Sequence, residues 1–260
     1  RSKVTDPSRL IGARTFLHPS VISAAVFDEP VDGFEGAPQS VYTDYHLGLE
    51  DVAGPIGFKL EVPPIHPVLF ATTMSGFGDA HVKGMRRFRH THAMIALMRD
   101  GFHPQSRGGR VELRADSTPV LDYPLTPVLF EAARRALLAM AQTQFAAGAK
   151  SVKPVHEFAT DYTSWSAAKE AIESLPLEPI LTRVVSAHVM GGSTMSSDPS
   201  TGVTRPDGRL HGLDDVSVHD GSLFPTSIGA NPQLSVYALA ARLSDALASA
   251  LSGRAAAPLS

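Results

Sequence analysis

At 260 residues, with 43% hydrophobic and 19% charged side chains, the chain has the composition of a globular protein and can bury one large core or two modest ones. Its net charge of −3 gives no electrostatic reason to expect nucleic acid, and no run approaches the roughly 18 uninterrupted apolar residues of a membrane span. It has no cysteine, which excludes disulfides and thiolate chemistry without identifying a compartment.

In chain order, residues 9–19 read as a glycine turn at Gly12 followed by the start of a strand. Residues 21–27 are β-branched and apolar and predict a buried strand. The loop 28–38 holds two prolines and two glycines. Alternation over 39–45 suggests another strand, and 56–62 and 67–73 read as two more, separated by Pro63-Pro64. Residues 76–88 predict a helix carrying a basic face, Lys83, Arg86, Arg87 and Arg89, which reads most simply as solvated. A strand follows at 93–98, and 110–115 alternates cleanly before 119–125. Strands in succession with short loops point to an antiparallel sheet.

The clearest helix is 126–147, with Pro127 in its first turn and Gly148 at its end. Phe130, Ala133, Leu137, Met140, Ala141 and Phe145 fall near helical spacing and should face a core. A shorter helix at 164–174 has Ser164 or Ser166 as its cap, and Pro176 and Pro179 break the chain after it.

The stretch 186–233 carries the chemistry. His188 precedes the Gly191-Gly192 pair, and a turn-rich segment leads to a short alternating strand at 216–219. That strand runs into Asp220-Gly221-Ser222, and Gly229-Ala230-Asn231-Pro232 then opens an Ala- and Leu-rich helix over 234–251. A strand, a glycine turn and a helix N-terminus can receive a phosphate or another electron-rich ligand. The same layout brings a His and an Asn, far apart in sequence, toward one site.

This stretch resembles the C-terminal signature of the glucose-methanol-choline (GMC) flavin oxidoreductases. Its His-x-x-Gly-Gly spelling and the run from Asp220 to Pro225 look closest to the branch of the cholesterol oxidases and bacterial alcohol dehydrogenases. The resemblance implies FAD as cofactor and a small-molecule alcohol as substrate. His188 would be the base that takes the hydroxyl proton, since an imidazole titrates near working pH. Asn231 would donate to the substrate oxygen, where other members use His; its plainer alternative is to cap the last helix. Asp220 and Gly221 match positions near the FAD ribityl and pyrophosphate, with a tight turn as their plainer alternative. Pro232 and Gln233 match the segment beside the isoalloxazine ring.

The fold so implied is α+β. An antiparallel-sheet substrate domain with helices would occupy 20–185, and 1–19 with 186–260 would be the C-terminal pieces of an FAD-binding α/β, Rossmann-like domain. The Gly-x-Gly-x-x-Gly turn that holds FAD pyrophosphate is not in the sequence, which starts at Arg1. The expectation is therefore the C-terminal part of a longer protein, with an N-terminal FAD-binding polypeptide as partner, from the same gene product or as a second chain. A non-redox lyase on the same fold, or a non-catalytic accessory chain, are the alternatives.

Other signals are weaker. His90 and His92 lack a third ligand for a metal, so none is expected. A Ser-His-Asp hydrolase lacks its Gly-x-Ser-x-Gly elbow. His211 and His219 read as solvent-exposed or hydrogen-bonded structural residues. His18 resembles a family position, and the sequence gives it no derivable role.

Overall fold

The structure is a computed structural model that describes residues 4, 6, 8–37, 39–51 and 53–254. Its elements begin with β1 (Ala13–Leu17), β2 (Ser20–Val26), β3 (Tyr42–Thr43), β4 (Phe58–Glu61), α1 (Pro67–Thr73), α2 (Asp79–Arg86) and β5 (Thr91–Met98). They continue with β6 (Gly109–Leu113), β7 (Pro119–Asp122), α3 (Pro127–Ala146), β8 (Ser151–Pro154), α4 (Trp165–Ser174), β9 (Val189–Gly191) and α5 (Gln233–Ser252). Helices and antiparallel sheets are mixed, as the α+β expectation has it.

The chain divides into two units. The first comprises Arg1–His18, Asp100–Pro124 and Ala187–Ser260, and the second Pro19–Arg99 and Leu125–Ser186. The units change over at 18/19, 99/100, 124/125 and 186/187. The middle segment is not continuous, because Asp100–Pro124 groups with the first unit. The cause is strand pairing: β6 registers on β1, with Ala13 opposite Arg110 and Thr15 opposite Gly109.

In the second unit the strands run in the order β3-β4-β5-β2-β8, every neighbouring pair antiparallel. Side chains alternate along β2, so Val21, Ser23 and Ala25 are buried and Ile22, Ala24 and Val26 lie on the other face. The buried face packs on α3 through Leu137, Met140 and Ala141. One polar pair sits in that layer: Ser23 Oγ donates to Gln144 Oε1 at 2.7 Å, and Gln144 Nε2 donates back to the Ser23 carbonyl at 3.1 Å. Both residues are buried, so each satisfies a group that water cannot reach. Pro127 opens α3, and the Thr126 side chain accepts from Leu129 N. Ser164, rather than Ser166, caps α4.

Two expectations about this unit need correction. Residues 67–73 form helix α1 and not a strand. Pro67 takes a first-turn position where its missing N–H costs nothing, and His66 Nδ1 accepts from Val68 N at 3.3 Å. Of 39–45, only Tyr42–Thr43 pairs as a strand, and both residues are exposed.

In the first unit the strand order is β7-β6-β1-β9, again antiparallel. The pairing of β1 with β6 slips between Ala13 and Thr15, and Arg14 there has φ +53°. Gly191 sits opposite Thr15 with φ +78°, and a Cβ at this position would lie 2.2 Å from the Arg14 carbonyl oxygen. Only glycine fits so close an approach in a left-handed conformation. The expected strand at 216–219 is reduced to a single bridge between Arg209 and Ser217. Helix α5 buries Leu243 and exposes Leu234, Tyr237 and Leu251. By length and composition alone it is long and apolar enough to cross a membrane, although Arg242 and Asp245 interrupt it.

Two substitutions test these packing claims in urea unfolding. Ser23→Ala leaves the buried Gln144 Oε1 without its donor and should cost about 1–3 kcal/mol. Gly191→Ala should cost about 1–3 kcal/mol from its backbone conformation alone, with the Arg14 clash added.

Candidate functional site

The antiparallel pairing of β1 and β9 builds the site in the first unit. Phe16 registers with Met190 and Leu17 with Val189, so the residues just beyond each strand, His18 and His188, come face to face. The His18 N–H donates to the His188 carbonyl at 3.1 Å. The two Nδ1 atoms lie 3.1 Å apart, with ring centroids at 5.3 Å and planes tilted by 42°. His18 is fully buried and His188 half-buried.

That contact constrains protonation. Across an Nδ1–Nδ1 hydrogen bond, one ring supplies the N–H and the other the lone pair. If His188 donates, its own lone pair is on Nε2, the form a general base requires. If both Nδ1 atoms carried protons, two donors would face each other. Sequence inspection misses this partnership, because the two histidines are 170 positions apart.

A second set of contacts joins β9 to the turn 220–223. Ser193 N donates to Ser222 O at 3.0 Å, and Met195 N to Leu223 O at 3.1 Å. Gly221 is in a 3-10 turn, where an added Cβ would lie 3.2 Å from Val189 O and 3.7 Å from Val236 Cγ2. Gly221 therefore lets β9, just after His188, approach the first turn of α5. Asp220 is exposed, and its Oδ1 accepts from Ser222 N at 2.8 Å, which caps that turn.

Asn231 is half-buried, two residues before α5, and Pro232 rather than Asn231 stands at the helix N-cap. The Pro232 carbonyl accepts from Val236 N at 2.8 Å, while Gln233 Nε2 donates to Tyr237 Oη at 2.9 Å. The loop leading to Asn231 is anchored from below. The buried Ser227 hydroxyl donates to the Asp100 carbonyl, and the Tyr123 hydroxyl donates to the Asp100 carboxylate. Burial, and then the Asp100 charge, push the Tyr123 hydroxyl well above its ordinary pKa, so it remains a donor.

Three further histidines make local contacts. His211 Nε2 contacts Ser196 O at 3.0 Å, and His219 Nδ1 contacts Ser244 Oγ at 3.0 Å. His92 packs edge-on to Phe27, and burial holds its imidazole below the usual pKa. Among the described residues no group of three or more His, Asp or Glu side chains is arranged to hold a metal ion.

Comparison with known proteins gives this geometry its context. An uncharacterized GMC-type oxidoreductase of Sinorhizobium fredii is 26% identical over 91% of the chain and 44% of its own length. A long-chain-alcohol oxidase of Arabidopsis thaliana is 26% identical over 88% of the chain and 32% of its own length. The chain thus spans less than half the length of these curated relatives. A cholesterol oxidase of Mycobacterium tuberculosis is 38% identical over 58 residues, 22% of the chain and 10% of that protein.

Among solved structures, formate oxidase of Aspergillus oryzae, a protein studied for the modification of its FAD, superposes with a TM-score of 0.61 at 16% identity. The match covers 92% of this chain and 48% of that one. Pyridoxine 4-oxidase of Mesorbium loti gives a TM-score of 0.59 at 19% identity, over 93% of this chain and 44% of that one. The family model described as GMC oxidoreductase matches residues 104–240, more than half of the sequence, and the chain belongs to the GMC oxidoreductase family.

Proposed function

We propose that this chain is the C-terminal part of an FAD-dependent oxidoreductase that oxidises an alcohol at its CH–OH carbon, with His188 as the proton acceptor. The observation that carries this is the His18–His188 contact, with His188 inside the stretch that the family model matches. A buried ring holding Nδ1 of a half-buried imidazole is how a base is kept in one orientation and one tautomer.

When bound, FAD would supply the hydride acceptor. The residues of this chain that fit it are few and act mainly through the backbone. No side chain caps α5, so its first-turn N–H groups form a donor set suited to an electron-rich ring or a phosphate. Gly221 and the 220–223 turn, Pro232 and Gln233 would lie along it. The rest of the binding surface would come from an N-terminal FAD-binding polypeptide.

The chain's own part in the reaction is to place and move a proton. His188 accepts the hydroxyl proton, which makes the adjacent C–H a better hydride donor. Asn231 donates its amide N–H to the substrate oxygen and stabilises the charge that gathers there. His18 touches no substrate in this scheme; it positions His188.

In the full-length, flavin-loaded protein, His188→Ala should lower turnover by about 10²–10⁴-fold while the flavin absorbance is retained. An unchanged rate of anaerobic bleaching by an alcohol would remove the base from the mechanism. A yellow protein that no alcohol bleaches would favour a lyase.

His18→Phe keeps the buried bulk and deletes the Nδ1 contact with His188. It should lower kcat by about fivefold, the equivalent of roughly 1 kcal/mol. It should also move the acidic limb of the pH profile of kcat/KM, a change that loss of folded protein alone would not produce.

A further inference from the structure

The first unit holds a buried acid that the proposed chemistry does not use. Asp100 is 4% exposed, and its carboxylate accepts from the Tyr123 hydroxyl. Its carbonyl accepts from the hydroxyl of Ser227, which is itself fully buried. Asp100 therefore grips two segments at once: Tyr123, the residue just after β7, and Ser227, four residues before Asn231.

The same phenol also reaches β1. Successive N–H groups along a strand point to opposite edges. The His18 N–H is directed at the His188 carbonyl, so that of Leu17 faces the other way, where it donates to the Tyr123 hydroxyl. One oxygen thus accepts from the residue next to His18 and donates to the carboxylate of the residue that holds the Asn231 loop.

The fit around this junction is tight. Gly101 has φ +116°, and a Cβ there would lie 2.7 Å from Thr226 Cβ and 3.2 Å from Phe16 Cδ1. The backbone just after Asp100 is pressed against both β1 and the loop 226–231, and only glycine fits that approach at a positive φ. Taking a carboxylate out of water is costly unless donors replace the water, so Asp100 depends on the Tyr123 hydroxyl.

We propose that Tyr123 and Asp100 are positioning residues, a brace that holds Asn231 at a fixed reach from the His18–His188 pair. In this scheme neither touches the substrate, and both act through the loop 226–231. The inference rests on the reading above, in which His188 takes the hydroxyl proton and Asn231 donates to the oxygen. An acceptor and a donor serve one hydroxyl only when both reach it together, and a misplacement of about 1 Å can cost ~10²-fold in rate.

The test uses the full-length, flavin-loaded protein carrying Tyr123→Phe or the milder Ser227→Ala. Tyr123→Phe should slow anaerobic flavin reduction by an alcohol about tenfold, and Ser227→Ala should act in the same direction. Hydrogen exchange should become about tenfold faster over 226–231 and stay unchanged over 129–141, the buried stretch of α3. In an Asn231→Ala background neither substitution should cause a further loss, because the group being positioned is gone. If Tyr123→Phe does not fold, Ser227→Ala decides by the same criteria. Unchanged reduction or unchanged loop exchange, where Asn231→Ala does slow reduction, would overturn the brace and leave the reading of Asn231 standing. Losses that multiply in the double variant would also overturn it, since Tyr123 would then act by another route. If Asn231→Ala itself leaves reduction unchanged, the reading of Asn231 falls and the brace falls with it.

Discussion

The pairing of two short strands, β1 and β9, is the constraint on which the candidate site depends. With Leu17 opposite Val189, antiparallel geometry fixes the neighbours at the strand ends: His18 and His188 must meet. The glycines nearby serve that pairing. Gly191 occupies a left-handed position hard against the Arg14 carbonyl, and the Gly12 N–H donates to Gly192 O at 2.7 Å. A stretch that reads in the sequence as a glycine-rich turn after a candidate histidine is a tightly packed junction.

The second unit shows how one sheet can serve two purposes. Period-two alternation along β2 sends Val21, Ser23 and Ala25 into the layer shared with α3. The other set, Ile22, Ala24 and Val26, lines a cavity of about 360 Å³. The core face is dense, and its buried Ser23–Gln144 pair is mutually hydrogen-bonded, while the opposite face carries the small Ala24 and Ala93. Rigidity on one side therefore supports a shaped space on the other.

Much of this is legible in the sequence, for identifiable reasons. Helices α3 and α4 announce themselves through Thr126-Pro127 and Ser164, because capping is local chemistry. Gly221 and Pro232 can be assigned to turns next to β9 and α5 for the same reason. Segment 67–73 reads as a strand because it is apolar and partly β-branched, yet the decisive signal is a proline placed just after a histidine cap. The β6–β7 hairpin is recognisable as strands but not as a member of the first unit, since only pairing with β1 fixes that. The contact of His18 with His188 is invisible because no local pattern encodes a partner 170 residues away.

The order in which the polypeptide leaves the ribosome bears on the histidine pair. His18 is made before the second unit, and the whole of that unit follows before His188 exists to meet it. Closing so large a loop is entropically slow compared with forming any helix in between. The histidine contact thus forms only after the second unit is complete, and a nascent chain stalled between the two histidines would carry a nearly finished sheet without it.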